Sequence, residues 1–242
     1  MNLIIDVGNS FIKIAVFKGN TLIVVEKTIE DDFLKNVSKF FNDYLGIEEI
    51  AVSSVGKLLK DHIRALSVFA PVTVLTSASK VPFKNEYATP ETLGVDRIAL
   101  VAAAFYRYKM KNCLVIDAGS CITYDFIDRN GVYKGGAIAP GLRMRYRAMH
   151  EFTENLPLID SFEWGNFIGN TTKDCMVSGV LNGSVNEMDA VIAQYREKFK
   201  DLTVILTGGD SHFLSKRLKS SIFAHPNFLL EGINHILELN KH

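Results

Sequence analysis

The sequence predicts an α/β protein that is built from two related halves. An internal repeat is the main observation: the segment LIIDVGNSFIKIAVF, which begins at Leu3, aligns without gaps with LVIDAGSCITYDFID, which begins at Leu114. Short apolar runs also alternate with helical patterns along the chain. Hydrophobic residues make up 48% of the 242 positions, which is ample for a packed core. We therefore expect an N-terminal domain over residues 1–112 and a C-terminal domain over residues 113–242, facing each other across a cleft.

The first half begins as a hairpin-rich sheet. Apolar runs bounded by turn residues predict strands over Leu3–Asp6, Phe11–Phe17 and Thr21–Lys27. A helix is predicted over Asp31–Leu45, because apolar side chains recur there at helical spacing and Gly46 follows. The further predictions for this half are a strand over Ile50–Ser53, a helix over Leu58–Phe69, a strand over Val72–Leu75 and a mostly apolar helix over Leu93–Met110.

Two glycine-rich segments mark connections in the second half. Gly135–Gly141 is predicted to lead into a helix with Pro140 near its first turn, where free N–H groups favour anions. Thr207–Asp210 follows a short apolar strand and precedes a predicted helix. Each segment is either an ordinary tight connection or a place where the backbone approaches a nucleotide closely. Neither matches the Walker A or the G-x-G-x-x-G pattern.

Composition and charge argue against several function classes. The 27 Lys and Arg residues balance 27 Asp and Glu residues, which argues against a broad surface for nucleic acid or a membrane. No apolar run reaches the roughly 18 residues of a membrane span. The N-terminus lacks the basic segment and the cleavage site of a signal peptide. Three cysteines without CxxC spacing fit reduced thiols. We therefore expect a cytoplasmic protein with no nucleic-acid or membrane partner.

A carboxylate ends the first strand in both copies of the repeat. Asp6-Val7-Gly8 in the first copy corresponds to Asp117-Ala118-Gly119 in the second. A single segment of this kind is usually just a hairpin, since Asp tolerates turn geometry and Gly supplies a positive φ. Two copies in register favour a functional role, because an Asp at a buried strand end needs a cation, a metal-bound water or a hydrogen-bond donor.

The segment TLGVDRIAL, from Thr92 to Leu100, places two opposite charges at a helix start. The helix dipole favours Asp96 in the first turn and opposes Arg97 in the same turn. Arg97 therefore requires an anion from elsewhere, either a protein carboxylate or a ligand. The alternative is that both side chains are solvated charges at the end of a helix.

This ordered set of motifs resembles the type III pantothenate kinases, which belong to the actin-like, sugar-kinase-like ATPase superfamily. The family's Asp-x-Gly-Asn-Thr motif appears as Asp6–Ser10, its Gly-x-Asp-Arg motif as Gly94–Arg97, and its Asp-x-Gly-Thr motif as Asp117–Ser120. Gly135–Gly141 and Thr207–Asp210 match two further segments of the family. The resemblance spans nearly the whole chain. It implies two ribonuclease-H-like halves of the actin/sugar-kinase superfamily around a central cleft.

The resemblance implies ATP-dependent phosphorylation of pantothenate, the first step of coenzyme A biosynthesis. It implies that Asp96 is the catalytic base, which takes the proton from the primary hydroxyl of pantothenate. The implied substrate-binding residues are Tyr87, Gly94, Val95, Asp96, Arg97 and Thr172. The implied ATP-binding residues are Asp6, Val7, Gly8, Asn9, Ser10, Phe11, Ile12, Lys13 and Ser120.

Cofactors and a partner are implied in the same way. The resemblance implies Mg²⁺ with ATP, held by Asp6 through water, and a monovalent cation, K⁺ or NH₄⁺, held by Asp117. It also implies a cytoplasmic homodimer whose pantothenate pocket is completed by the partner subunit. Ser10 and Ser120 stand where the family has threonine, and both keep the hydroxyl that a phosphate or metal-bound water contacts.

Two other functions stay open. One is a kinase for another small hydroxylated substrate such as a sugar, which the short chain and the Gly94–Arg97 motif disfavour. The other is a non-catalytic transcriptional accessory factor, which the intact Asp96 and the neutral net charge disfavour. Arg143, Arg145 and Arg147 make one segment more basic than the family pattern, and we expect them to face solvent or a second subunit.

Overall fold

The computed structural model describes residues 1–8, 11–54, 60–160 and 163–241. The chain divides into two units. The first comprises Met1–Lys109, Asn130–Lys134 and Asn227–His242. The second comprises Met110–Arg129 and Gly135–Pro226. That the chain consists of two related domains over residues 1–112 and 113–242 stays a prediction.

The fold is α/β with two sheets, as the sequence predicts. The strands are β1 (Asn2–Val7), β2 (Ile12–Lys18), β3 (Thr21–Thr28), β4 (Glu49–Ser54), β5 (Val72–Val74), β6 (Lys84–Asn85), β7 (Asn112–Ala118), β8 (Cys121–Ile127), β9 (Val132–Pro140), β10 (Leu202–Thr207) and β11 (Phe223–Ala224). The α-helices are α1 (Phe33–Asp43), α2 (Lys60–Leu66), α3 (Val95–Arg107), α4 (Leu142–Glu151), α5 (Thr172–Lys198), α6 (Ser211–Ser215) and α7 (Phe228–Asn240).

The sheet of the first unit has the strand order β3-β2-β1-β4-β5. Strand β1 pairs antiparallel with β2 and parallel with β4, so it is central and buried on both faces. Leu3, Ile5 and Val7 project to one face, where they join the hydrophobic cluster that includes Phe33 and Phe40 of α1. Because side chains alternate along a strand, Asp6 projects to the opposite face.

Helices α3 and α7 cover that opposite face of the first sheet. Helix α7 packs against α3 and against β1 and β4. On this face the Asn2 side-chain amide donates hydrogen bonds to Asn234 Oδ1 (2.7 Å) and Glu238 Oε1 (2.6 Å). Gly232 lets the two helices approach, since a Cβ there would lie 1.8 Å from the Ala99 carbonyl oxygen. The packing therefore fixes α3 on the sheet face that carries Asp6.

The second unit is built on the strand order β11-β10-β7-β8-β9. Strand β7 pairs antiparallel with β8 and parallel with β10, which repeats the arrangement around β1. Its core combines side chains of β7, β8 and β10 with those of α4 and of the long helix α5. The first residues of β9, Val132 and Tyr133, belong to the first unit and pair there with β6.

The predicted elements differ from the structure mainly at their ends. The helix predicted over Asp31–Leu45 begins with a 3-10 turn at Glu30–Asp32, and α1 ends at Asp43. The apolar helix predicted over Leu93–Met110 is shorter in the structure, where α3 spans Val95–Arg107. The helix predicted over Leu58–Phe69 is α2 in the structure, and residues 58–59 of that prediction lie outside the described residues.

The prediction for Gly135–Gly141 needs a correction. Most of this segment is the second half of β9, and Pro140 closes the strand instead of standing in the first turn of α4. Glycine is needed inside this strand, because a Cβ at Gly136 would lie 1.6 Å from the Tyr124 carbonyl oxygen. The glycines therefore serve close strand packing, which periodicity alone does not reveal.

Candidate active site

The turn after β1 carries the first group of predicted nucleotide contacts. The Gly8 N–H donates to the Phe11 carbonyl at 3.2 Å. Val7 and Ile12 are buried in the core cluster and pair with each other across β1 and β2, so their side chains serve the core. The Phe11 side chain is exposed. Asn9 and Ser10, which the sequence assigns to ATP, lie outside the described residues.

Asp6 stands at the end of β1 with only 8% of its surface exposed. Its register partner across the sheet is Lys13 on β2. Burial raises the pKa of the Asp6 carboxyl from 3.8 to about 6, the Lys13 ammonium opposes that rise, and the Asp96 carboxylate adds to it. Asp6, Lys13 and Asp96 therefore share one electrostatic environment in the first unit, although ninety residues of sequence separate Asp6 from Asp96.

Asp96 occupies the first turn of α3, where the sequence places it. Its Oδ1 accepts a hydrogen bond from the Arg97 N–H at 2.8 Å, so the carboxylate is folded back over the start of the helix. Gly94 makes this possible, since a Cβ at that position would lie 2.4 Å from Asp96 Oδ1. The glycine of the Gly-x-Asp-Arg motif thus leaves room for the carboxylate, and the free N–H groups of the helix end stabilise its charge.

Arg97 is buried, with 5% of its surface exposed. The carbon at the centre of its guanidinium lies 5.5 Å from the centroid of the Tyr87 ring. Tyr87 in turn stacks on Tyr133, with ring centroids 6.1 Å apart. A guanidinium over an aromatic face is a favourable and oriented contact. The structure therefore brings together Tyr87 and Arg97, two residues that the sequence assigns to one substrate.

The turn after β7 is the counterpart of the first turn, and two glycine segments pack directly on it. A Cβ at Gly208, whose φ is +94°, would lie 2.3 Å from Asp117 Oδ1 and 2.4 Å from the Ala118 carbonyl oxygen. A Cβ at Gly141 would lie 2.2 Å from the Gly119 carbonyl oxygen. Both glycine segments of the sequence analysis therefore converge on the Asp117–Ser120 turn. Ser120 is exposed there and Asp117 is half-buried.

Sequence reasoning missed two features of this second turn. The Asp210 N–H donates to the Ala118 carbonyl at 2.9 Å. Burial raises the pKa of the Asp210 carboxyl, and the Arg143 guanidinium opposes that rise. The Thr-Gly-Gly-Asp pattern could have indicated Asp210, since it directly follows the paired glycines. Arg143 is exposed as expected, yet its charge acts on Asp210.

Arg145 is engaged within the second unit and does not simply face solvent; a contact with a second subunit stays a prediction. Its guanidinium Nη2 lies 2.7 Å from Glu187 Oε2 of α5, and its Nε donates to the Pro140 carbonyl at 2.8 Å. The physical reason is that α4 and α5 pack together, which places a carboxylate within reach of the fourth residue of α4. Glu187 lies far from Arg145 in sequence, so no local pattern pairs them.

Thr172, assigned to the substrate, is the first residue of α5 and is exposed. The preceding Thr171 caps the helix by accepting a hydrogen bond from the Asp174 N–H at 3.1 Å. Thr172 lies in the second unit, whereas Tyr87, Gly94, Val95, Asp96 and Arg97 lie in the first.

The described part of the chain holds no group of three or more His, Cys, Asp or Glu side chains that could bind a metal ion by themselves. Single carboxylates are present at Asp6 and Asp117. Mg²⁺ in kinase sites is usually bound through one or two carboxylates together with substrate phosphates. Among the residues that the structure describes, no helix is both long enough and apolar enough to cross a membrane. The three cysteines are free thiols, as expected.

Comparison with known proteins decides the family. The sequence model of the type III pantothenate kinases matches residues 2–194. A type III pantothenate kinase from Christiangramia forsetii is 50% identical over 241 residues, which cover 100% of this chain and 99% of the relative. One from Flavobacterium psychrophilum is 46% identical over 241 residues, which cover 100% of both chains. The chain belongs to the type III pantothenate kinase family.

Solved structures agree with the predicted fold of this pantothenate kinase family member. A protein from Campylobacter jejuni described as a Baf family transcriptional activator is 23% identical, with a TM-score of 0.63 and 98% of each chain covered. A glucokinase from an Antarctic psychrotroph is 11% identical, with a TM-score of 0.54 and 98% of each chain covered. At these identities the likeness shows the fold alone, which is that of the actin-like sugar kinases.

Proposed function

We propose that this protein transfers the γ-phosphoryl group of ATP to the primary hydroxyl of pantothenate, giving 4'-phosphopantothenate in the first step of coenzyme A biosynthesis. Family membership over the whole chain supports this reaction. The observation that carries it is the start of α3, where Asp96 is held by a backbone N–H and shares the electrostatic environment of Asp6. Phosphoryl transfer requires an oriented hydroxyl and stabilised phosphate charge, and this region offers groups for both.

Asp96 is the proposed catalytic base. Its Oδ1 accepts the bond from the Arg97 N–H, and we assign its Oδ2 to the substrate hydroxyl. As the pantothenate oxygen attacks the γ-phosphorus, its proton passes to Asp96, and the bond to the ADP leaving oxygen breaks. The carboxylate also orients the hydroxyl, which matters when the transition state is loose and the proton leaves late.

Arg97 and Tyr87 are the proposed anchor for pantothenate, together with Gly94, Val95 and Thr172. The ring of Tyr87 holds the buried guanidinium in one orientation. A planar guanidinium can bind a carboxylate through two parallel hydrogen bonds. We assign the carboxylate of pantothenate to this contact; Gly94 and Val95 adjoin it at the start of α3, and Thr172 is assigned to pantothenate on the resemblance alone.

The nucleotide contacts are proposed for Asp6, Val7, Gly8, Phe11, Ile12 and Lys13 in the first turn and for Ser120 in the second. Exposed backbone amides and a hydroxyl at glycine turns are suited to phosphate oxygens. The motif residues Asn9 and Ser10 belong to the same proposal, on the resemblance alone.

Mg²⁺ and a monovalent cation fit the two strand-end carboxylates. A cation beside Asp6 offsets the burial that raises the pKa of this carboxyl. The absence of a side chain at Gly208 leaves room beside the Asp117 carboxylate, since a Cβ there would lie 2.3 Å from Asp117 Oδ1. When bound, Mg²⁺ neutralises charge on the transferring phosphates. We propose that Asp117 holds K⁺ or NH₄⁺, so potassium should activate turnover and sodium much less; equal rates in the two salts would contradict this assignment.

A cytoplasmic homodimer is proposed as well. In the second unit α5 exposes Gly179 and Gly183, and a Cβ at either position would meet no other atom within 4 Å. Phe152, Phe167 and Ile168 are large apolar side chains that are also exposed in this unit. Small residues on a helix face and exposed apolar side chains are common in subunit contacts. Light scattering coupled to size-exclusion chromatography tests this state.

Two ligand measurements separate this function from the alternatives. Pantothenate should raise the melting temperature of the protein, whereas glucose and N-acetylmannosamine should leave it unchanged. Stabilisation by a sugar alone would favour a sugar kinase. Binding of pantothenate and ATP without turnover would favour a regulatory protein.

A further inference from the structure

Glu187 is the centre of a polar network inside the second unit. Its Oε2 lies 2.7 Å from Arg145 Nη2, and its Oε1 accepts a hydrogen bond from the Tyr124 hydroxyl at 3.3 Å. Tyr124 is buried on β8, and burial together with the Glu187 charge raises the pKa of its phenol. The phenol therefore stays protonated and can donate. Helix α5, helix α4 and strand β8 are joined at this one carboxylate.

Arg145 extends the network to the backbone before α4. Its Nε donates to the Pro140 carbonyl at 2.8 Å while Nη2 reaches Glu187. Only 22% of the Arg145 side chain and 34% of the Glu187 side chain are exposed, so water competes weakly for this pair. The fork of an arginine can serve two partners in fixed directions, which the single ammonium of a lysine cannot reproduce.

The backbone that Arg145 contacts leads directly to a residue that packs on the Asp117–Ser120 turn. The residue after Pro140 is Gly141, whose N–H donates to the Ser120 carbonyl at 3.1 Å. Gly141 is packed so closely on this turn that a Cβ would lie 2.2 Å from the Gly119 oxygen and 2.5 Å from the Ser120 oxygen. Any shift of Pro140 is therefore passed directly to Gly119 and Ser120.

We propose that Arg145 and Glu187 are positioning residues for ATP, acting through Pro140 and Gly141 on the Gly119–Ser120 turn. This inference rests on the proposed assignment of that turn to nucleotide phosphates. Neither side chain touches the nucleotide in this proposal. Their role is to hold the backbone of the turn in the geometry that binds phosphate, so their loss should weaken ATP binding and leave the pantothenate site unchanged.

The experiment compares Arg145→Lys, Glu187→Gln and the double variant with the wild-type protein. Arg147→Lys is the matched control, because Arg147 is an exposed arginine on the same helix. The KM for ATP, the KM for pantothenate, kcat and the melting temperature are measured for each. Loss of one such hydrogen bond corresponds to about a 2- to 13-fold change in an equilibrium constant. We expect the KM for ATP to rise by that factor in both single variants.

Three further results are expected. The KM for ATP of the double variant should be no higher than that of the more impaired single variant, because both substitutions break the same chain of contacts. The KM for pantothenate should stay near the wild-type value, the melting temperature should fall by no more than about 6 °C, and Arg147→Lys should match the wild type throughout. A fall in melting temperature with an unchanged KM for ATP would overturn the proposal and leave the network a purely structural one.

Ser120→Ala separates failure of this inference from failure of the site assignment. If Ser120→Ala raises the KM for ATP while Arg145→Lys and Glu187→Gln do not, the positioning role is refuted. The assignment of the Gly119–Ser120 turn to the phosphates of ATP is then kept. If Ser120→Ala leaves the KM for ATP unchanged, the assignment of the turn to ATP is refuted, and the positioning role falls with it.

Discussion

Replacing Asp6 with asparagine should make the ligand-free protein more stable and the enzyme inactive. Burial raises the pKa of this carboxyl from 3.8 to about 6, so the folded state disfavours its charged form. Between these two values the folded protein binds more protons than the unfolded chain. The free energy of unfolding therefore falls as the pH rises through this window, and it stays lowered above the window.

The expected gain in unfolding free energy follows from the shift in the pKa of Asp6. The difference between 3.8 and about 6 corresponds to about 3 kcal/mol at pH values above the window. Asp6→Asn keeps the shape of the side chain and removes its charge. At about pH 7.5 the variant should gain up to about 3 kcal/mol in unfolding free energy, or about 6–12 °C in melting temperature. Near pH 4 the gain should shrink to a small fraction of this value, because the Asp6 carboxyl is then protonated in the folded state and only about half ionised in the unfolded chain.

The assay is unfolding of both proteins in EDTA, without nucleotide, at about pH 4, 6 and 7.5. Asp43→Asn is the control, since Asp43 is an exposed aspartate at the end of α1 and should show no such gain. Turnover of Asp6→Asn with Mg²⁺-ATP should be lost at every pH. A variant that is less stable at pH 7.5, or whose gain does not depend on pH, would refute the reasoning about Asp6; unchanged turnover would remove its assignment to the metal-linked phosphate.

Four further changes test the site. Asp96→Asn should lower kcat by about 10²–10⁴-fold, towards the low end if the carboxylate mainly orients the hydroxyl, while ATP binding persists; a fully active variant would exclude the base assignment. Gly94→Ala should lower kcat with little change in melting temperature, because its Cβ would displace only the end of the Asp96 side chain, which lies 2.4 Å from that position; normal kcat would show that this carboxylate geometry is not required. Arg97→Lys should raise the KM for pantothenate more than it lowers kcat, whereas a lower melting temperature with an unchanged KM would make Arg97 a structural residue. Gly208→Ala should cost about 2–5 kcal/mol of stability, since the backbone there is left-handed and a Cβ would meet the Ala118 carbonyl; a melting temperature equal to that of the wild type would contradict this packing.

Local patterns were sufficient to predict the architecture and part of the site. The repeat around Asp6 and Asp117 reappears as two strands in the same setting, each with an antiparallel neighbour on one side and a parallel neighbour on the other. Asp96 lies in the first turn of a helix, as its position after Gly94 indicates. These features depend on turn chemistry and on charges at helix ends, which are encoded within a few residues.

Features that depend on contacts distant in sequence could not be predicted. The pairing of Arg145 with Glu187 exists because α4 packs on α5, and a basic segment read by itself indicated solvent. The raised pKa of Asp6 depends on its burial in the folded chain and on the neighbouring Asp96. The sequence predicts a connection over Gly135–Gly141, because a glycine-rich run does not show that a neighbouring strand lies within van der Waals distance.

The central claim is that Asp96 serves the transfer of phosphate from ATP to pantothenate. The most direct measurement is ADP release by the purified protein with ATP, Mg²⁺ and K⁺, with and without pantothenate, combined with mass spectrometry of the product. We predict ADP release that depends on pantothenate, formation of 4'-phosphopantothenate in equal amount, and a fall in the rate of both by about 10²–10⁴-fold in Asp96→Asn. ADP release that requires a sugar instead, or no phosphorylated pantothenate under any of these conditions, would contradict the claim.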